Sequence, residues 1–137
     1  MLGSVKTWAA VGVEPRGTGL GAVRVIGKVL DRAGLSANDV TLWEINEAFA
    51  SVPIAACREY GLDEDRVNIY GSGCSLGHPI AATGARMLTT LVHELGRRGG
   101  GIGWLRCALA AARAEPSSSR SSASNSPCLQ LISRSAR

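Results

Sequence analysis

The chain has 137 residues, 45% of them hydrophobic and only 4% aromatic, and a formal net charge of +4 at pH 7. Such a length bounds it to one domain, or one domain with a tail, whose core must rely on Ala, Val, Leu and Ile. The charge marks no nucleic-acid face: residues 1–103 hold ten Lys/Arg against ten Asp/Glu, and 104–137 hold five Arg and one Glu. No apolar run reaches the roughly 18 residues of a membrane span. The start Met1-Leu2-Gly3-Ser4-Val5-Lys6-Thr7 lacks the basic-then-apolar pattern of a signal peptide. Neither nucleic acid nor membrane is expected as a partner, and the expected compartment is the cytoplasm.

In chain order, residues 8–13 read as the end of a strand and residues 14–21 as a flexible loop, with Pro15 and three glycines. Those glycines alternate and do not complete the G-x-G-x-x-G of a dinucleotide site. Val23, Ile26, Val29, Leu30 and Ala33 recur at threes and fours opposite Arg24, Lys28, Asp31 and Arg32. That is a helix, and Gly34 is placed to end it. Val40 to Ile45 is β-branched and aromatic, a buried strand. A second helix is expected from Asn46 to about Tyr60, bent at Pro53. Asn46 and Glu47 then stand at the C-terminal end of a strand, where open α/β sheets bind ligands. Asn is equally among the best N-cap residues, and the local pattern favours capping.

Val67 to Tyr70 reads as the next strand, followed by a glycine-broken turn and a helix whose first residue is Pro79. His78 falls at or beside its N-cap, where orphan N–H groups converge and an imidazole is placed to accept a proton; the plainer role is a polar cap on a tight turn. Ala81, Ala85, Leu88, Val92 and Leu95 form the apolar stripe of this helix, with Ala82, Met87 and Leu91 beside it. Arg97 and Arg98 suit its last turn, and Gly99-Gly100-Gly101 stops it. Cys57, Cys74, Cys107 and Cys128 are irregularly spaced and suggest no disulfide framework. Cys74 and His78 lack the CxxC partners of a zinc site, so no metal is expected. Helices alternating with strands argue for an α/β layered fold with a mostly parallel sheet. If the two strands run parallel, Asn46 and His78 share one sheet edge.

The pair Asn46-Glu47-Ala48-Phe49 and Gly77-His78-Pro79-Ile80-Ala81-Ala82-Thr83-Gly84-Ala85-Arg86 resembles the C-terminal half of thiolases, the acetyl-CoA acyltransferases. Gly19-Leu20-Gly21, Ala33-Gly34-Leu35 and Leu42-Trp43-Glu44-Ile45 fit the same order, so the resemblance covers about residues 9–103. It implies a layered thiolase-like half, incomplete here, and acyl transfer between coenzyme A thioesters through an acyl-cysteine. By the same resemblance His78 activates the nucleophilic thiol and helps hold the thioester oxygen. Asn46 positions a water in a second oxyanion site, and Ala48, Phe49 and Gly77 contact the acyl substrate. No cofactor is implied beyond the coenzyme A thioester, which is the substrate. The implied partners are acyl-CoA, an N-terminal half carrying the nucleophilic cysteine, and further copies of the chain in a homo-oligomer.

Three departures qualify the resemblance. The half with the nucleophile is not in this sequence, so the chain is expected to be inactive alone. Cys107 is followed by Ala108-Leu109-Ala110 rather than by glycines, so the second-base role of a family cysteine does not pass to it. Ala81 replaces a usual glycine, and Cys74 a usual aliphatic or small residue. Residues 117–135 contain nine serines, too little apolar surface to order themselves. The expected division is therefore 1–103, a thiolase C-terminal-like domain, and 104–137, a disordered or frameshifted Ser/Arg/Ala-rich tail. The alternative reading is a non-catalytic thiolase-like subunit that binds acyl-CoA or lipid, or serves as a scaffold.

Overall fold

The computed structural model describes residues 2–13, 17–106 and 129–134. β1 (Ser4–Trp8) lies four residues before the strand expected at 8–13. The carbonyls that follow it are held by helix cations instead, Trp8 O by Arg32 and Ala10 O by Lys28. Helix α1 (Thr18–Ala33) starts inside the expected loop. Gly21 is why it can: a Cβ there would lie 2.8 Å from a Val13 methyl, so only glycine lets the helix approach the incoming chain. Gly34 ends α1 in the left-handed conformation (φ 64°), with Leu35 N–H returning to Leu30 O, as the pattern predicts.

β2 (Leu42–Ile45) and β3 (Gly101–Arg106) pair in parallel, Trp43 opposite Trp104. Among the described residues the sheet order is β1-β4-β3-β2, where β4 (Leu129–Arg134) runs antiparallel to both β1 and β3. Three strands thus share one direction and the fold is α/β, as expected. The expected boundary at 103/104 falls inside β3, whose Trp104 and Leu105 are buried. Of the expected tail, residues 107–128 and 135–137 lie outside the described residues, and 129–134 form a strand.

Side chains alternate across a strand, so Trp43, Ile45 and Trp104 face one layer, while Leu42, Glu44 and Leu105 face the other. On the first face they pack with α1 and with α2 (Ser51–Tyr60), the two indoles tilted at 43° with centroids 5.2 Å apart. On the second face Met87, Leu91 and Leu95 of helix α4 (Thr83–Arg97) meet Leu42 and Leu105. The buried line of α4 therefore takes Met87 and Leu91 from the flanking set and only Leu95 from the expected stripe; Ala85 is exposed and Leu88 and Val92 only half-buried, because Leu91 must fill the space over Gly103, where a Cβ would lie 2.6 Å away.

Three expected elements are corrected. α2 begins at Ser51, not Asn46, so Asn46 does not cap it, and Pro53 falls in its first turn, where a missing N–H costs nothing. Val67 makes only a single parallel bridge to Trp43. The strand expected to follow it is a turn, because Asn68 adopts φ 49° and bonds Ile45 through its side chain, Oδ1 accepting from Ile45 N (2.8 Å) and Nδ2 donating to Ile45 O (2.8 Å). α4 opens at Thr83, four residues after Pro79, whose carbonyl instead accepts the N–H groups of Ala82 and Thr83. His78 is consequently not a cap. A short helix, α3 (Gly73–Leu76), precedes it.

Tyr60 joins α2 to α1 from within the helix ladder: its hydroxyl donates to Val23 O (2.9 Å) and accepts from Gly27 N (3.1 Å). Tyr60→Phe removes the bridge between two α1 backbone groups four residues apart. The expected cost is about 1–3 kcal/mol, read as a lowered urea midpoint at constant slope; an unchanged midpoint would mean that the ladder closes on itself.

Candidate functional site

The parallel pairing of β2 with β3 directs the end of β2 toward the segment between α3 and α4. Asn46, fully buried, follows β2 directly, and its backbone N–H is held by Arg106 O (3.0 Å). Its Nδ2 lies 3.2 Å from Nε2 of His78. The other ring nitrogen, Nδ1, lies 2.7 Å from Thr83 Oγ1, which donates to Pro79 O at 2.9 Å. A hydroxyl has one proton. If Thr83 spends it on Pro79, it must accept from Nδ1–H, and Nε2 then accepts from the Asn46 amide. With Thr83 donating to Pro79, the network is that of an Nδ1–H imidazole whose Nε2 faces the sheet edge.

Glu47 secures the loop opposite. Its Oε1 accepts from Asn68 Nδ2 (2.9 Å) and its Oε2 from Cys74 N (3.0 Å). Gly73 is required there, since a Cβ would lie 2.5 Å from Glu47 O, a backbone atom. Gly73→Ala is expected to separate the two loops and cost roughly 1–3 kcal/mol. Loss of the Asn46–His78 contact in the imidazole spectrum would accompany it; a variant as stable as the parent, with that contact intact, would refute the packing argument.

Beneath the pair lies a charged layer. Glu44, two residues before Asn46 on β2, is 2% exposed. Burial pushes its carboxyl up to about 7 even though Arg86 pulls it down, and Glu47 adds a smaller upward push. Arg86 donates to Ser72 Oγ (3.3 Å), and Ser72 in turn to Ile45 O (3.4 Å). Sequence reasoning named Arg86 only as a motif letter and missed Glu44, Thr83 and Asn68 as parts of the site. The signal was available for Glu44: an acid inside an apolar strand is rarely left buried without a role.

Of the residues expected to meet substrate, Ala48, Phe49 and Gly77 are exposed, Phe49 by 72%, and Leu76 and Ile80 beside His78 are exposed as well. The structure therefore brings Asn46 and His78 into contact and leaves an apolar rim open around them. Cys74 turns its Sγ to Glu47 O (3.8 Å), and Cys57 belongs to α2 on the other face, its thiol pushed up by burial. Cys107 and Cys128 lie outside the described residues. Among the described residues no cluster of three His, Cys, Asp or Glu is placed to hold a metal.

The chain matches the family model described as thiolase, C-terminal domain, over residues 1–117. It is 46% identical over 99 residues, 72% of its length, to the peroxisomal 3-ketoacyl-CoA thiolase 1 of Arabidopsis thaliana and to the cytosolic acetyl-CoA acetyltransferase of Mus musculus. Of those proteins it spans 22% and 25%. It also superimposes on the peroxisomal 3-ketoacyl-CoA thiolase of Saccharomyces cerevisiae with a TM-score of 0.77 at 30% identity, covering 96% of this chain and 34% of that one. That protein is described as five α-β-α-β-α layers constructed from two core domains of identical topology. The fold, the relatives and the family match agree, and the chain belongs to the thiolase family, as part of its C-terminal domain.

Proposed function

We propose that the chain is the base-and-oxyanion half of an acyltransferase that moves acyl groups between coenzyme A thioesters, by condensation of acetyl-CoA or thiolysis of a β-ketoacyl-CoA. The contact between Asn46 Nδ2 and His78 Nε2 carries the reading. An imidazole held as its Nδ1–H tautomer offers Nε2 to a thiol proton. To reach it, the thiol must displace the Asn46 amide, whose N–H groups then face the thioester oxygen on which charge develops. The same amide has a second N–H for another acceptor. The exposed rim of Phe49, Leu76 and Ile80 suits an apolar acyl chain and the walls of a partner domain.

The nucleophile on this reading is a cysteine of an N-terminal half, and the chain alone does not turn over. The two-core-domain description of the yeast relative supports such a partner. The cytoplasm is the proposed compartment, to be checked by imaging the tagged chain; the relatives carry both peroxisomal and cytosolic names. The test is to co-express the chain with the N-terminal half of a related thiolase and assay thiolysis of acetoacetyl-CoA. Turnover by the complex and by neither part alone is expected. A stable complex that binds acyl-CoA without turnover would overturn the catalytic reading and leave a binding or scaffold subunit.

A further inference from the structure

The hydrogen bonds from Asn46 through His78 and Thr83 to Pro79 can run in either of two directions. In one, Asn46 Nδ2 donates to Nε2, Nδ1–H to Thr83 Oγ1, and Thr83 to Pro79 O. In the other the carboxamide is turned over, Nε2–H donates to Oδ1, and Thr83 donates to Nδ1. Pro79 O does not choose between them, because the backbone N–H groups of Ala82 and Thr83 bond it in either case. Thr83 does not choose either, since a hydroxyl both donates and accepts. The choice falls to the far end of the chain, the buried Oδ1 of Asn46.

Among the described residues that oxygen has no hydrogen-bond partner, and neither have six further buried atoms, of which three belong to the charged layer: Oε2 of Glu44 and Nε and Nη1 of Arg86. With Oδ1 these three amount to two acceptors and two donors, and Asn46 and Glu44 are 0% and 2% exposed. Arg86 stands three residues beyond Thr83 on α4, and its Nη2 is bonded to Ser72, which bonds the carbonyl immediately before Asn46. Glu44 stands two residues before Asn46, on the face of β2 that meets α4. Buried polar atoms left unpaired cost too much to persist unless something bridges them.

We propose that Arg86 and Glu44 are positioning residues for the Asn46–His78 pair. Ordered water joins the guanidinium to Oδ1 of Asn46 and to Oε2 of Glu44. The cationic donors draw Oδ1 to their side, turn Nδ2 toward His78, and so select the Nδ1–H tautomer that leaves Nε2 without a proton and able to act as a base. Glu44 holds the guanidinium in place. The inference deepens the acyl-transfer reading, on which the role of Nε2 rests, but the tautomer can be read without any turnover.

The chain contains only two histidines, His78 and the exposed His93, so its imidazole nitrogens are readily told apart by ¹⁵N NMR of the whole labelled chain. The wild type is expected to hold His78 as Nδ1–H. Arg86→Met is expected to lower the Nδ1–H to Nε2–H ratio of His78 about fivefold or more, the change that losing one hydrogen bond produces. Arg86→Lys should restore part of it, and His93 should not move. Glu44→Gln keeps the side chain's shape and reads the same effect should Arg86→Met fail to fold. An unchanged His78 ratio in a folded variant overturns the proposal, as does a wild type that already mixes both tautomers. Failure of the complex to turn over, with the tautomer shift present, would strike the acyl-transfer reading alone.

Discussion

His78→Ala is expected to reduce thiolysis by the two-part complex roughly 10²–10⁴-fold, the usual contribution of a positioned general base. The variant removes Nε2 and with it the acceptor for Asn46, but it lies in a half-buried turn that the Pro79 carbonyl and Glu47 hold independently. Folding should survive, and circular dichroism should be unchanged. Asn46→Ala should cost somewhat less, about 10²–10³-fold, as for loss of one oxyanion donor. Because the two groups act on one another through a single hydrogen bond, the double variant should lose far less than the product of the single losses. Multiplicative losses would mean that the residues act separately; full activity in His78→Ala would remove the base from the mechanism.

The two motifs that carry this expectation were legible because each is local. Asn-Glu-Ala-Phe follows an apolar strand and Gly-His-Pro precedes a clear amphipathic helix; their shared edge rested on a second parallel strand at Val67–Tyr70, of which the structure keeps only the Val67 bridge to Trp43. Their surroundings were less legible, and for a common reason. Asn68, Asn46 and Pro79 all form bonds that compete with regular structure. The Asn68 side chain takes both backbone groups of Ile45 and turns a β-like run into a loop. The Asn46 side chain reaches His78 in place of capping α2. The Pro79 carbonyl gathers three donors before α4 begins. Propensity assigns such residues to caps and helix starts, whereas long-range partners decide their conformations. The charged layer was hidden differently: Glu44 looks like one polar letter in a strand, and only the burial of β2 between two helix layers shows that its carboxyl is shut off from bulk solvent. β4 shows the limit of composition, since Leu129–Arg134 closes a sheet from within a stretch whose serine content argues against order.

That buried carboxyl gives the largest expected effect on stability. Glu44 titrates near 7 in the folded chain against 4.5 as its ordinary value. Between these values the folded state keeps a proton that the unfolded state has released. Its contribution is therefore fully present below about pH 4.5 and is lost as pH rises through about 7. The gap corresponds to about 3 kcal/mol, so the urea midpoint of the wild type should fall between about pH 4.5 and pH 7. Glu44→Gln, neutral throughout, should lack that component and be the more stable of the two at the alkaline end. Arg86→Met should act in the opposite sense. The guanidinium is what draws the carboxyl down, so its removal leaves the anion uncompensated and steepens the decline. In the double variant the steepening should vanish, because no carboxylate is left to be stranded. Equal pH slopes for wild type and Glu44→Gln would show that the carboxyl is hydrated in the folded chain, and the charged layer beneath Asn46 would then be an open, solvent-filled surface.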